Sequence, residues 1–192
     1  DVLSNSALVG LDFNFDGLKT NLMEGDADAL FPRSSSFRIT QKNIPVDSLA
    51  EAITNTPADN PQMLGLTMML KVTALLADAG SFLQIENTHL RNQNYDVSLD
   101  TVVRADVTAA NAATAEGTLI FSGLVQVIAL LQTAAKNSDS KQTTHQLMQT
   151  AMMLNALKAY GTSEPHATLG SSYTFDLEMN AAGAVLINGQ NA

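Results

Sequence analysis

The segment Ala7-Leu8-Val9-Gly10-Leu11-Asp12-Phe13-Asn14-Phe15-Asp16-Gly17 decides the fold class. Ala7, Val9, Leu11, Phe13 and Phe15 take every second position, and Leu8, Gly10, Asp12, Asn14 and Asp16 fall between them. Successive side chains of a strand point to opposite faces, so a period of two predicts a half-buried strand. Asp16-Gly17 is a turn signal, and Leu18 to Met23 is the expected returning strand. Such a strand needs apolar segments elsewhere to cover it.

Those segments follow further along. Residues 25–36 read as a polar loop around Pro32, and Phe37 and Ile39 mark a strand over 36–40. The chain then changes period. Asp47 is the expected N-cap of a short helix carrying Leu49, Ala50 and Ile53, which Thr56-Pro57 ends. Asn60-Pro61 opens a second helix over 62–79, apolar nearly all round, with Lys71 its lone basic residue and Gly80 its stop. Its apolar run falls short of the roughly 20 residues that a membrane span needs, and Lys71 sits in the middle, so a buried helix is expected.

Strands return over 81–90 and 95–109, an expected antiparallel pair turning at 92–94. Residues 110–116 read as an Ala-rich loop and 117–122 as a short strand. Ser122 is expected to cap a helix running to Ala135, with Leu124, Val127, Ile128 and Leu131 on one face. After a polar linker over 137–141 comes a helix over 142–160, striped by Leu147, Ala151, Leu154 and Leu157 and ended by Gly161. Residues 173–179 and 185–187 form a closing hairpin across Ala182-Gly183. This order predicts an α+β fold, a curved and mostly antiparallel sheet packed on amphipathic helices in a single domain over 1–192. Strands followed by two helices occur twice, in halves 1–79 and 80–192, an order compatible with internal duplication. The expected core is Leu11, Phe13, Leu66, Leu70, Leu99, Ile128, Leu131, Leu154, Phe175 and Ile187.

Composition narrows the function. The chain has 192 residues, 45% hydrophobic and only 15% charged, with a formal net charge of −9. That length supports one core. Its ten Lys and Arg form no run, which argues against nucleic acid and against electrostatic docking on anionic lipid. The absence of Cys removes disulfides, thiolate metal sites and Cys nucleophiles. No Asn-x-Ser/Thr sequon occurs, which weighs against a eukaryotic secretory origin. The chain opens at Asp1 without Met or a basic leader, so a processed or trimmed piece is expected, which leaves room for a signal or membrane anchor upstream.

Motifs are few. Asp12-Phe13-Asn14-Phe15-Asp16-Gly17 spells the start of a calcium loop, making Asp12, Asn14 and Asp16 weak metal candidates. The bidentate Glu due at the twelfth position is Met23, Glu24 comes one residue late, and Lys19 stands where an apolar residue belongs. The strand reading explains the same three residues as one solvated face. Glu24, Asp26 and Asp28 form an acidic loop cluster, and such clusters are usually just solvated. His89, His145 and His166 lack metal-ligand spacing. Neither a nucleophile elbow nor a phosphate-binding Gly loop is present, so no cofactor is implied. Met63, Met68 and Met69 share one helix, and Met148, Met152 and Met153 another. Methionine packs adaptably, so these residues suit either an ordinary core or a groove between sheet and helices; Met63, Met68, Met69, Met148 and Met152 are the candidate groove lining.

The closing strands Tyr173-Thr174-Phe175-Asp176-Leu177-Glu178 and Gly183-Ala184-Val185-Leu186-Ile187-Asn188-Gly189, with the preceding order of helices, resemble the YdgA-like family of uncharacterised bacterial envelope proteins. The resemblance covers residues 44–189 and lies in order and ending. It implies a periplasmic body, or one at the periplasmic face of the inner membrane, with an N-terminal anchor. It supplies no catalytic residues. The first expected function is a non-enzymatic envelope domain binding a lipid, another apolar ligand or a partner protein. The second is a structural or oligomerising module acting through a strand edge or apolar helix. The third is a hydrolase with a carboxylate site at Asp26 and Asp28. A ligand carrier should show an internal apolar cavity, and an interaction module a large exposed apolar patch.

Overall fold

A computed structural model of the chain describes residues 6–17, 30–55 and 61–191. The elements in order are β1 (Ser6–Asp16), β2 (Ser34–Pro45), α1 (Val46–Thr54), α2 (Pro61–Asp78), β3 (Phe82–Arg91), β4 (Asp96–Ala105) and β5 (Ala113–Ser122). Then come α3 (Leu124–Asn137), α4 (Lys141–Lys158), β6 (Thr162–His166), β7 (Gly170–Met179), β8 (Val185–Ile187) and β9 (Gln190–Asn191). The strands form one antiparallel sheet in the order β1-β2-β3-β4-β5-β7-β8-β9, with β6 also on β7. The fold is α+β, as the alternation of periods predicts.

Each helix pair is an excursion from the sheet. α1 and α2 leave the end of β2 and return to β3, its neighbour. The neck of this excursion is tied: the buried Ser81 hydroxyl lies 3.0 Å from the Lys42 carbonyl and 2.8 Å from that of Asn43. Asn43 Nδ2 donates to the Gly80 carbonyl at 3.1 Å. The second pair, α3–α4, leaves β5 through Gly123, whose φ of 83° and contact with the Asn94 carbonyl leave no space for a Cβ. The Gly123 amide donates to Ser171 of β7 at 3.0 Å, tying this exit to the sheet as well.

Register fixes which residues share a face. Leu11 pairs with Ile39, Ile39 with Ile85, Ile85 with Thr101, Thr101 with Gly117 and Gly117 with Leu177. Laterally paired residues of a sheet lie on one face, so this row is the helix side throughout. The core sits under α3 and α4, where Leu124, Val127, Ile128, Leu131 and Ala151 enclose Phe175 and Tyr95. Phe175 and Leu124 are the largest fully buried side chains.

Several expectations fail in instructive ways. Leu11, Phe13, Leu66 and Leu70, placed in the core from the sequence, are 61%, 45%, 53% and 56% exposed. The first two occupy the correct face, but the substantial helix contacts are α2 on β2 and β4 and α3 on β7, leaving β1 beyond both. α2, expected buried, turns Leu66, Met69 and Leu70 outward at i, i+3 and i+4 spacing. The expected loop over 110–116 contains the first four residues of β5, since Ala113 and Ala115 pair with Ala105 and Val103. Residues 162–166, to which the sequence assigns no element, form β6. Ser122 does not cap α3; Gly123 takes that position, and Ser122 Oγ lies 2.6 Å from Ser172 Oγ across the ladder. Pro45, not Asp47, precedes α1, and Asp47 lies in the first turn, where its charge suits the helix dipole. The expected returning strand over 18–23 lies outside the described residues; β1 pairs instead with β2.

Candidate functional site: an uncovered apolar face

On the helix side of β1, Val9, Leu11, Phe13 and Phe15 stand in line, one per strand repeat of about 6.6–7 Å. Phe13 stacks on Phe37 of β2 at 5.1 Å between ring centroids and meets Phe15 edge-on at 5.9 Å. The aromatic cluster is therefore ordered while its outer surface faces solvent. α2 also exposes apolar residues, Leu66, Met69 and Leu70. Large contiguous apolar exposure on a folded domain marks an interaction surface, whereas scattered single residues do not.

The opposite face carries most of the carboxylates, with Leu8 and Ile120 also exposed on it. A shallow depression of about 740 Å³ crosses β3, β4, β5 and β7 between Glu86, Asp100, Glu116, Asp176 and Glu178. Arg104 bridges Glu116 at 2.7 Å. A second, of about 620 Å³, lies at the ends of β1, β2 and β3 beside Asn14, Asp16, Ser34, Ser36, His89 and Arg91. Asp96 holds both Arg91, at 3.0 Å, and His89 Nδ1, at 3.2 Å, while Arg91 also approaches Nδ1 at 3.1 Å. With its proton on Nδ1, His89 donates to Asp96; with Nδ1 bare, it accepts from Arg91. Ser36 is across the ladder from His89, but its hydroxyl donates to the Asn87 carbonyl at 3.0 Å. Its proton is thus directed away from the imidazole.

The expected site residues are distributed as follows. Met69 of α2 is exposed and Met68 half-buried; Met148 and Met152 are exposed on α4. α2 packs with α1 and α4 with α3, so the two methionine groups stand on separate helix pairs. The Met63 side chain lies outside the described residues, as do Glu24, Asp26 and Asp28. Asp12, Asn14 and Asp16 project from alternate positions of an extended strand, as a solvated face does, and Asp12 is engaged by Arg38 Nε at 2.6 Å. That bond and the charge beside it raise the Arg38 pKa. Asp16 Oδ1 accepts from the Gly17 amide at 2.8 Å. Among the described residues no group of three or more His, Asp or Glu could hold a metal ion.

Ser138-Asp139-Ser140-Lys141 has the letter spacing of an S-x-x-K nucleophile motif. Its serines are committed to the start of α4: Ser140 Oγ accepts from the Thr143 amide at 3.3 Å, and Ser138 Oγ from the Ser140 amide at 3.3 Å. It is a helix cap. Sequence reasoning missed the exposure of the apolar face of β1. The alternation marked its apolar face, and no residue pattern marked that face as uncovered.

No helix among the described residues is long and apolar enough to cross a membrane. Comparison with protein-family models, with curated proteins and with solved structures finds no match. The resemblance to YdgA-like envelope proteins rests on element order and the closing strands alone.

Proposed function

We propose that this chain is a non-catalytic docking module whose working surface is the apolar helix side of β1 and β2 with the outward stripe of α2. The observation that carries the reading is the exposure of Val9, Leu11 and Phe13 on the same face of the sheet that buries Phe175 under α3 and α4. Burying such a surface contributes about 25 cal/mol per Å², so a protein partner that covers it gains affinity without any charged contact. The two depressions described above are open and shallow, which favours docking over enclosure of a ligand. A location in the bacterial envelope, implied by the resemblance, belongs to the same proposal.

A second reading, binding of a lipid or other apolar ligand, is favoured by the exposed, conformationally adaptable Met69, Met152 and Met153. The fluorescent apolar dye bis-ANS tests the surface. Wild type is expected to enhance its emission, and Leu66→Ser with Leu70→Ser to remove at least half of the enhancement without lowering helix content. An unchanged signal in the double variant would refute the docking surface. Co-flotation with phosphatidylcholine vesicles would move the assignment to the lipid reading.

A further inference from the structure

We infer that the occupant of this face is a second copy of the chain, joined through β1 by antiparallel edge-to-edge pairing about a two-fold axis at Leu11. The inference rests on the docking reading and names its partner. Among the described residues β1 has a strand neighbour on one side only, β2, and the backbone N–H and C=O groups of its other edge pair with no described strand. Natural sheets blunt such edges with Pro, Lys, short length or a covering element. The far end of this sheet is blunted in that way: β6 carries Glu164 and Pro165 in five residues, and β9 has only two. β1 contains neither Pro nor Lys. An unprotected edge at one end and a protected edge at the other disfavour head-to-tail growth and favour a closed two-fold pair.

The residues of β1 select the register. Ser6–Asp16 has its midpoint at Leu11, so a two-fold there pairs the whole strand with its copy. On the apolar face Leu11 meets Leu11, Phe13 meets Val9 and Phe15 meets Ala7 of the second copy. On the polar face Asp12 meets Gly10, Asn14 meets Leu8 and Asp16 meets Ser6. On the apolar face apolar residues meet apolar residues, and on neither face does a carboxylate meet another; Asn14 opposite Leu8 is the one mixed pair. Moving the axis by one residue to Asp12 would oppose two aspartates, a destabilising pair. The resulting sheet would continue through both copies, with the two rows of exposed phenylalanines and aliphatics side by side on one face.

The absence of Cys permits a direct test in the full chain. Directly opposed residues of an antiparallel pair have Cα atoms about 4.5–5.5 Å apart, within disulfide reach. Light scattering after size exclusion is expected to give a dimer mass at high concentration. Leu11→Cys alone should oxidise to a covalent dimer. Val9→Cys and Phe13→Cys should each resist oxidation alone and cross-link when mixed, and Asn14→Cys should not cross-link with itself. Leu11→Lys should weaken the dimer roughly tenfold or more by opposing two ammonium groups, with an unchanged circular dichroism spectrum. A monomer at the highest soluble concentration would overturn the inference, as would a dimer lacking the Leu11→Cys cross-link. Either result with bis-ANS binding still dependent on Leu66 and Leu70 leaves the docking face standing with another occupant; loss of that dependence removes the face as well.

Discussion

Two phenylalanines, each on the helix side of its strand, should respond very differently to truncation. Phe175 is fully buried, and a Cβ at Gly161 would come within 2.7 Å of its ring. Phe175→Ala should therefore cost about 3–5 kcal/mol, the range for an aromatic deleted from a packed core. Phe13 is 45% exposed, so its lost burial amounts to about 1 kcal/mol. Its ring contacts at 5.1 and 5.9 Å add about 0.5–1.5 kcal/mol between them. The expected total for Phe13→Ala is about 2 kcal/mol, roughly half that of Phe175→Ala. In a domain of this size the melting temperature should fall by roughly 10 °C for Phe175→Ala and by about half as much for Phe13→Ala. Urea unfolding at two protein concentrations measures both values and separates any contribution from self-association. If Phe13→Ala costs as much as Phe175→Ala in the dilute sample with an unchanged m value, β1 is covered within the monomer and the reasoning fails.

Gly123→Ala should destabilise by about 2–4 kcal/mol, combining the strain of a positive φ with a clash against the Asn94 carbonyl; a cost near zero in chemical denaturation would contradict the exit geometry of α3. Burial raises the Tyr95 phenol pKa, and its hydroxyl donates to the Leu30 carbonyl at 3.0 Å. The native state thus holds this proton more tightly than the unfolded chain, so its contribution is complete below the ordinary tyrosine value of about 10 and is lost as pH rises through the folded value. Urea midpoints across the alkaline range should fall less steeply for Tyr95→Phe, and equal slopes would contradict this. Asp106 is held below the ordinary carboxylate range by the Thr108 hydroxyl first and the Thr108 amide second. Its contribution is present above the unfolded pKa and is lost as pH falls through the lower folded value. An NMR titration should show the Asp106 carboxyl moving up toward its ordinary value in Thr108→Ala, and no change would remove the assigned cause.

Local periodicity carried the fold further than it carried the site. The alternation from Ala7 to Phe15 specifies a strand and its apolar face, and the stripe Leu147, Ala151, Leu154 and Leu157 specifies how α4 meets its neighbour. Period says which way a side chain points. It does not say whether anything lies there, which depends on where two separate helix pairs settle across the sheet. Leu11 and Leu119 have the same local signature, yet only Leu119 packs against the core. β6 was invisible because Thr162-Ser163-Glu164-Pro165-His166 has no apolar alternation; its pairing is backbone ladder on the outer edge of β7. The N-terminal part of β5 was hidden because Ala113-Thr114-Ala115 carries little hydrophobic contrast. Calcium-loop letters at Asp12 and capping-serine letters at Ser122 were each outweighed by strand pairing with β2 and β7.

The tied neck beneath α1 and α2 gives the molecule an unusual tolerance of a broken backbone. Ser81 and Asn43 close the excursion through hydrogen bonds between its two feet, and the β2–β3 ladder runs from Lys42 and Phe82 to Ser34 and Arg91 with one register shift between Ser36 and Arg38. Cleavage in the connection between α1 and α2 would make two polypeptides without removing a single ladder bond. The pieces, one ending with α1 and the other beginning with α2, would remain associated through the sheet. Expressed separately, they would form a complementing pair whose reassembly reports directly on the strength of one strand-to-strand seam. A reporter or a foreign domain inserted between α1 and α2 would lengthen a loop whose base is already fastened, which costs only slowly increasing entropy.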